Sequence, residues 1–206
     1  MRPEVDEIRV DDVPLSEAQN KVYYLLYKPT GCVTTLKDPQ GRRTVLDWIP
    51  PSGVRVFPVG RLDYDAEGLL ILTNDGALAN RLQHPRYGVR KTYQVKVKGI
   101  PGLDVLKQLA DGVLLEEGRT APAQVRLLRR LPDAAWIEIV LHQGWYRQIK
   151  RMCGSLGYPV LKIKRIGYGP LDLGNMKPGQ VRRLGPLEVK RLQEPVHQKR
   201  EQVDQP

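Results

Sequence analysis

Gly60-Arg61-Leu62-Asp63-Tyr64-Asp65-Ala66-Glu67-Gly68 leads straight into Leu69-Leu70-Ile71-Leu72-Thr73, and Asn74-Asp75-Gly76 closes the run. An unbroken apolar stretch of this length, bounded by glycines and polar turn residues, predicts a strand buried on both faces. The polar loop before it carries three carboxylates and one arginine. Loops held by rigid strands are where catalytic groups concentrate. Asp63, Asp65, Glu67 and Gly68 match the first positions of a calcium-binding loop, but Asn74 stands where the closing bidentate Glu is needed. A two-metal nuclease site lacks the histidines or further acids to complete it. A single catalytic carboxylate beside an arginine and a charged surface turn both remain open.

Outward from this loop, strands and helices mix without a regular βαβ rhythm. Val22 to Tyr27 reads as a buried strand, ended by Lys28-Pro29-Thr30-Gly31. Thr44 to Ile49 and Ala77 to Gln83 read as short helices, and Val54 to Val59 as a strand. Lys91 to Lys98 alternates, with Tyr93, Val95 and Val97 on one side. Leu103 to Ala110 is helical, with Gly112 past its end. Ala123 to Leu131 and Trp136 to His142 flank the turn at Pro132-Asp133. Tyr146 to Leu156 has helical spacing, with Arg147, Lys150 and Arg151 on its polar face, and Val160 to Ile166 is a strand. The pattern predicts an α+β fold with a mainly antiparallel sheet.

The 206 residues carry a net charge of +10. Residues 140–200 hold 13 basic and 3 acidic side chains, so the excess sits in one C-terminal stretch. That imbalance points to a polyanion, with nucleic acid the leading partner. Phosphate contacts are expected from Arg147, Arg151, Lys162, Lys164 and Arg165. No apolar run is long enough to span a membrane. The widely separated Cys32 and Cys153 make neither a zinc pattern nor a disulfide framework, which fits a reducing cytoplasm. Phosphate-loop, dinucleotide and nucleophile-elbow motifs are absent, and His84, His142 and His197 are scattered. Chemistry without a cofactor or metal is therefore expected.

The quoted loop and strand, with Lys28-Pro29-x-Gly31, Lys91-x-Tyr93 and Arg147-Gln148-Ile149-Lys150-Arg151-Met152 in the same order, resemble the bacterial ribosomal-RNA pseudouridine synthases of the RsuA/RluB type. Ala77 to Pro85 leans toward the branch acting on large-subunit RNA. Gln143, Trp145 and Tyr27 depart from the family's usual residues. The resemblance implies a pseudouridine synthase fold of two fused lobes with the cleft between them. It makes residues 21–193 the catalytic domain, residues 1–20 the remnant or linker of an N-terminal RNA-binding domain, and residues 194–206 a flexible polar tail.

It also implies an isomerase without a cofactor. Asp63 would be the essential carboxylate, Lys150 its partner, and Tyr93 a stacking residue for the base. Arg61 would fill the gap left by an extruded uridine, with Lys28 among the RNA contacts. A cytoplasmic monomer acting on ribosomal RNA or an assembly intermediate is expected. A non-catalytic RNA-binding assembly factor on the same scaffold is the alternative.

Overall fold

The computed structural model describes residues 9–10, 13–14, 20–51 and 53–195. In chain order the strands are β1 (Arg9–Val10), β2 (Val13–Pro14), β3 (Tyr23–Lys28), β4 (Phe57–Pro58), β5 (Glu67–Thr73), β6 (Lys91–Lys98), β7 (Leu114–Leu115), β8 (Gly118–Arg119), β9 (Gln124–Arg130), β10 (Ala134–Leu141), β11 (Val160–Tyr168), β12 (Leu171–Asp172) and β13 (Val181–Arg183). The α-helices are α1 (Gly76–Gln83), α2 (Leu103–Asp111), α3 (Gln148–Ser155) and α4 (Pro186–Gln193). The first two strands form a small ladder of their own. Ile8, most of the expected linker and residues 196–206 of the expected tail lie outside the described residues.

β7 and β8 form a second such ladder, and one mixed sheet organises the other strands, in the order β13-β3-β5-β11-β6-β10-β9, with β4 beside β5 and β12 beside β11. Every pairing in it is antiparallel except β5 with β11. That parallel seam joins the two lobes. On one side, Val95, Val97, Ile137 and Ile139 pack against Leu106 and Leu109 of α2 and Ile149 and Met152 of α3. On the other side, β3 and β5 are buried on both faces. Leu25, Leu69 and Ile71 meet α1 and α4, while Tyr24, Leu26, Leu70 and Leu72 meet the segment around Val45. Two covered faces explain why β5 is apolar at every position from Leu69 to Leu72.

The seam depends on one glycine. Gly68 pairs with Arg165 across it and has φ of +122°. A Cβ there would lie 2.2 Å from the Arg165 carbonyl oxygen and 2.6 Å from its nitrogen. Only a residue without a side chain lets the two backbones meet.

Some boundaries differ from the sequence reading. Val54 to Val59 contains only the two-residue strand Phe57–Pro58. The third helix starts at Gln148, because Arg147 takes the left-handed conformation (φ 47°, ψ 33°) ahead of it. The eleventh strand runs on to Tyr168 through an irregularity between Arg165 and Gly167.

Candidate active site

The loop before β5 is gripped from below. Lys28 is fully buried at the end of β3, and its ammonium donates to the carbonyls of Pro29 (3.0 Å), Asp63 (3.0 Å) and Ala66 (2.8 Å). The Thr34 hydroxyl donates to the Leu62 carbonyl at 2.7 Å and accepts from the Leu62 N–H at 3.2 Å. Gly31 N–H donates to the Tyr64 carbonyl at 2.9 Å. The backbone on both sides of Asp63 is thus fixed before any substrate arrives. Lys28, expected at the RNA, cannot reach it, since all its donors are spent inside the protein. Burial lowers its pKa from 10.5 to about 8.

What is left free is the Asp63 carboxylate, about a third exposed. Lys150, from the first turn of α3, reaches across the lobes to it at 3.0 Å and to Asp65 at 2.5 Å. The hydrogen bond from Lys150 holds the Asp65 carboxyl below the usual carboxylate range. Glu67 instead pairs with Lys162 at 3.1 Å. Asp63 and Asp65 thus share one ammonium while Glu67 stands apart, and among the described residues no group of His, Cys, Asp and Glu is arranged to hold a metal ion.

Asp63 and Lys150 border a cleft of about 430 Å³. Arg61 and Asp63 line it from the loop, Tyr93 from β6, and Arg147 and Lys150 from the start of α3. Asp63 is the one carboxylate among the lining residues. Tyr93 is buried, with one edge on the cleft and its body in the core of the second lobe. The rim at 143–148 is tied by Gln148, whose amide accepts from Trp145 N–H and donates to Gln143 Oε1, each at 3.0 Å. That same oxygen accepts from Ala121 N–H. The role needs an acceptor, and the Gln143 amide oxygen supplies it.

The sequence reading places Arg147, Lys150 and Arg151 on one helical face, and the structure separates them. Arg147 precedes the helix and is exposed at the rim. Arg151 makes a bidentate pair with Glu117, both bonds 2.7 Å, away from Asp63. Arg165 is corrected as well. It is 2% exposed, donates from Nε to the Leu69 carbonyl at 2.7 Å, and forms part of the cleft floor. Strand alternation puts Lys162 and Lys164 on the opposite face of the sheet from Arg165.

Lys91 and Tyr168, which line the cleft, escaped the sequence reading as site residues. Lys91 and Arg165 both lie over the Tyr168 ring, at 5.4 and 5.0 Å. Lys91 is on the same face of β6 as Tyr93, and its position in Lys91-x-Tyr93 was the available signal. Burial, then the nearby Arg165 charge, lowers its pKa to about 8. Tyr168 donates to the Leu82 carbonyl, and burial raises its pKa to about 12.

These shifts set a pH dependence of stability. Lys28 and Lys91 lose protons near pH 8 when folded but near 10.5 when unfolded. Between those values the unfolded chain binds more protons, so unfolding free energy rises with pH, by up to about 1.4 kcal/mol per unit for each lysine. Cys153 acts oppositely above pH 9, and Tyr23 and Tyr168 above pH 10, since their folded pKa values are about 12 and the unfolded chain ionises first. Urea titrations under reducing conditions from pH 7 to 11 are expected to show stability rising from pH 8 to a maximum between pH 9 and 10. A monotonic fall from pH 8 would contradict the burial of the two lysines as charged groups.

A conserved-domain description of RNA pseudouridylate synthases matches residues 22–155. The chain belongs to this family. It is 45% identical over 189 residues to the ribosomal large subunit pseudouridine synthase B of Bacillus subtilis, covering 91% of this chain and 77% of that one. It is 41% identical to the ribosomal large subunit pseudouridine synthase E of Xanthomonas campestris, over 77% of this chain and 92% of the other. A crystal structure of a pseudouridylate synthase superposes with a TM-score of 0.76 at 29% identity, covering 87% of this chain and 76% of that one. The fold is the pseudouridine synthase fold, and the protein is an isomerase of that family.

Proposed function

We propose that the chain converts a uridine of large-subunit ribosomal RNA to pseudouridine, with Asp63 as the catalytic carboxylate. The observation that carries this is a lone carboxylate in the cleft, fixed by its own backbone and paired with Lys150 at 3.0 Å. The reaction breaks the bond between uracil N1 and the sugar C1′, turns the base, and joins C5 to C1′. The C5 proton leaves and N1 gains one, so no redox partner or energy source is consumed. Lys150 stands beside Asp63 as its counter-charge. The target uridine must leave its stack to reach the cleft, at a cost of a few kcal/mol. Tyr93 packs against the extruded base, and Arg61, exposed on the loop, fills the space left in the RNA. The setting is the cytoplasm, where the two buried free thiols, Cys32 and Cys153, stay reduced.

The test is tritium release from ribosomal RNA labelled at uridine C5. Release by the parent protein, lost in Asp63→Asn, is the expected result. A parent protein that binds this RNA and releases no tritium overturns the assignment.

Cleft binding is also expected to be salt-dependent through the two exposed rim cations. Replacing Arg61 and Arg147 with Gln should make the log–log slope of affinity against salt shallower by about 1.5 for a short hairpin substrate. An unchanged slope would place the phosphates elsewhere.

A further inference from the structure

The face of the sheet opposite the cleft poses a separate question. In the second lobe, α2 and α3 cover the face that carries Tyr93, Val95, Ile137 and Ile139. The other face shows a row set by strand register. Arg129 of β9 lies opposite Trp136 of β10, Trp136 opposite Lys96 of β6, and Lys96 opposite Lys162 of β11. The next row runs Arg126, Glu138, Gln94 and Lys164. Lys98, two residues beyond Lys96 on β6, lies on the same side. Directly paired residues project to the same side of a sheet, so these are neighbours rather than scattered surface charges.

The charges on this face do not cancel. Glu138 pairs with Arg126 at 2.6 Å and Glu67 with Lys162 at 3.1 Å. Lys164 lies over the Tyr27 ring. Among the described residues, that leaves Lys96, Lys98 and Arg129 with no carboxylate paired to them, while Lys164 shares Glu67, its register partner, with Lys162. In their midst Trp136 is only half-buried. An open sheet face combining an accessible aromatic ring with surrounding cations is a surface on which single-stranded RNA lays its bases and phosphates.

We propose that this face is a second RNA-binding surface, which holds a single-stranded segment of RNA distinct from the one entering the cleft. The inference rests on the chain acting on RNA, but its test is independent of catalysis. A fluorescent 20-residue oligo(C), which contains no uridine to isomerise, serves as the probe. Its affinity is measured across a salt series for the parent protein, for Lys96→Gln/Lys98→Gln/Arg129→Gln, for Trp136→Ala and for Trp136→Phe. The triple variant is expected to bind at least tenfold more weakly, with a log–log slope shallower by about 2. Trp136→Ala should lose at least about fivefold, and Trp136→Phe should retain most of the affinity, because stacking needs a ring.

Turnover of a short hairpin that fills only the cleft is followed in parallel. It should be unchanged in the triple variant, which also shows that the variant is folded. Oligo(C) affinity and slope that ignore these substitutions overturn the proposal. So does loss of hairpin turnover together with oligo(C) binding, since the face would then not be separate from the cleft. Competition by poly-glutamate as effective as that by unlabelled oligo(C) would overturn the RNA assignment in favour of an acidic partner. If the parent protein turns over no uridine at all, the proposed reaction fails while the oligo(C) result still decides this one.

Discussion

Asp63→Asn is expected to abolish turnover and leave RNA affinity nearly unchanged. The substitution keeps the shape of the side chain and removes only its charge. The loop backbone stays in place, because Lys28 and Thr34 hold it by main-chain carbonyls rather than through the carboxylate. Lys150 keeps a partner in Asp65. Little besides the reacting group changes, and losing it should cost at least ~4 kcal/mol of transition-state stabilisation, or about a thousandfold in rate. Single-turnover tritium release at saturating RNA measures this. Activity above about a thousandth of the parent rate would move the essential role to another group, with Asp65 the nearest.

The second large effect is structural. Gly68→Ala should lower the unfolding free energy by about 4 kcal/mol, combining overpacking with the strain of a side chain at φ +122°. In a chain of this size that corresponds to roughly 10 °C in Tm. The added carbon meets backbone, not a flexible side chain, so the seam between β5 and β11 must open. Gly76→Ala is the control. Nothing lies within 4 Å of a Cβ there, and the residue begins a helix. Calorimetry should show a large shift for the first variant and almost none for the second. Equal shifts would mean that the seam tolerates separation.

Patterns that depend on neighbours in sequence were legible, and those that depend on partners across the fold were not. The alternation of Lys91 to Lys98 gave the sixth strand to the residue, and the apolar run at Leu69 to Leu72 gave the fifth. The helix at Gly76–Gln83 was legible to within one residue, but Asp75, which the sequence puts in a turn, is its cap and accepts from Leu78 N–H. By contrast, a lysine followed by proline at a strand end reads as exposed, and nothing local reveals that Lys28 is to grip a loop 35 residues away. Lys162, Lys164 and Arg165 read as one basic cluster. Their division between two faces follows from pairing with β6, which composition does not encode. The fourth helix, Pro186–Gln193, is short and polar on most sides, and its place is set by packing of Leu192 into the first lobe. Asp63 and Lys150 were legible as a pair only through the family's motif order, since 87 positions separate them.

Arg147 is the only non-glycine residue at positive φ among those described, and it stands at the rim of the cleft. An L-residue there is about 1 kcal/mol less stable than glycine. A library sorted only for heat resistance should therefore enrich Arg147→Gly, and the same library sorted for RNA modification should deplete it. The two selections pull one codon in opposite directions, which makes this position a direct gauge of how much thermal robustness the chain gives up to keep a positive charge beside its substrate.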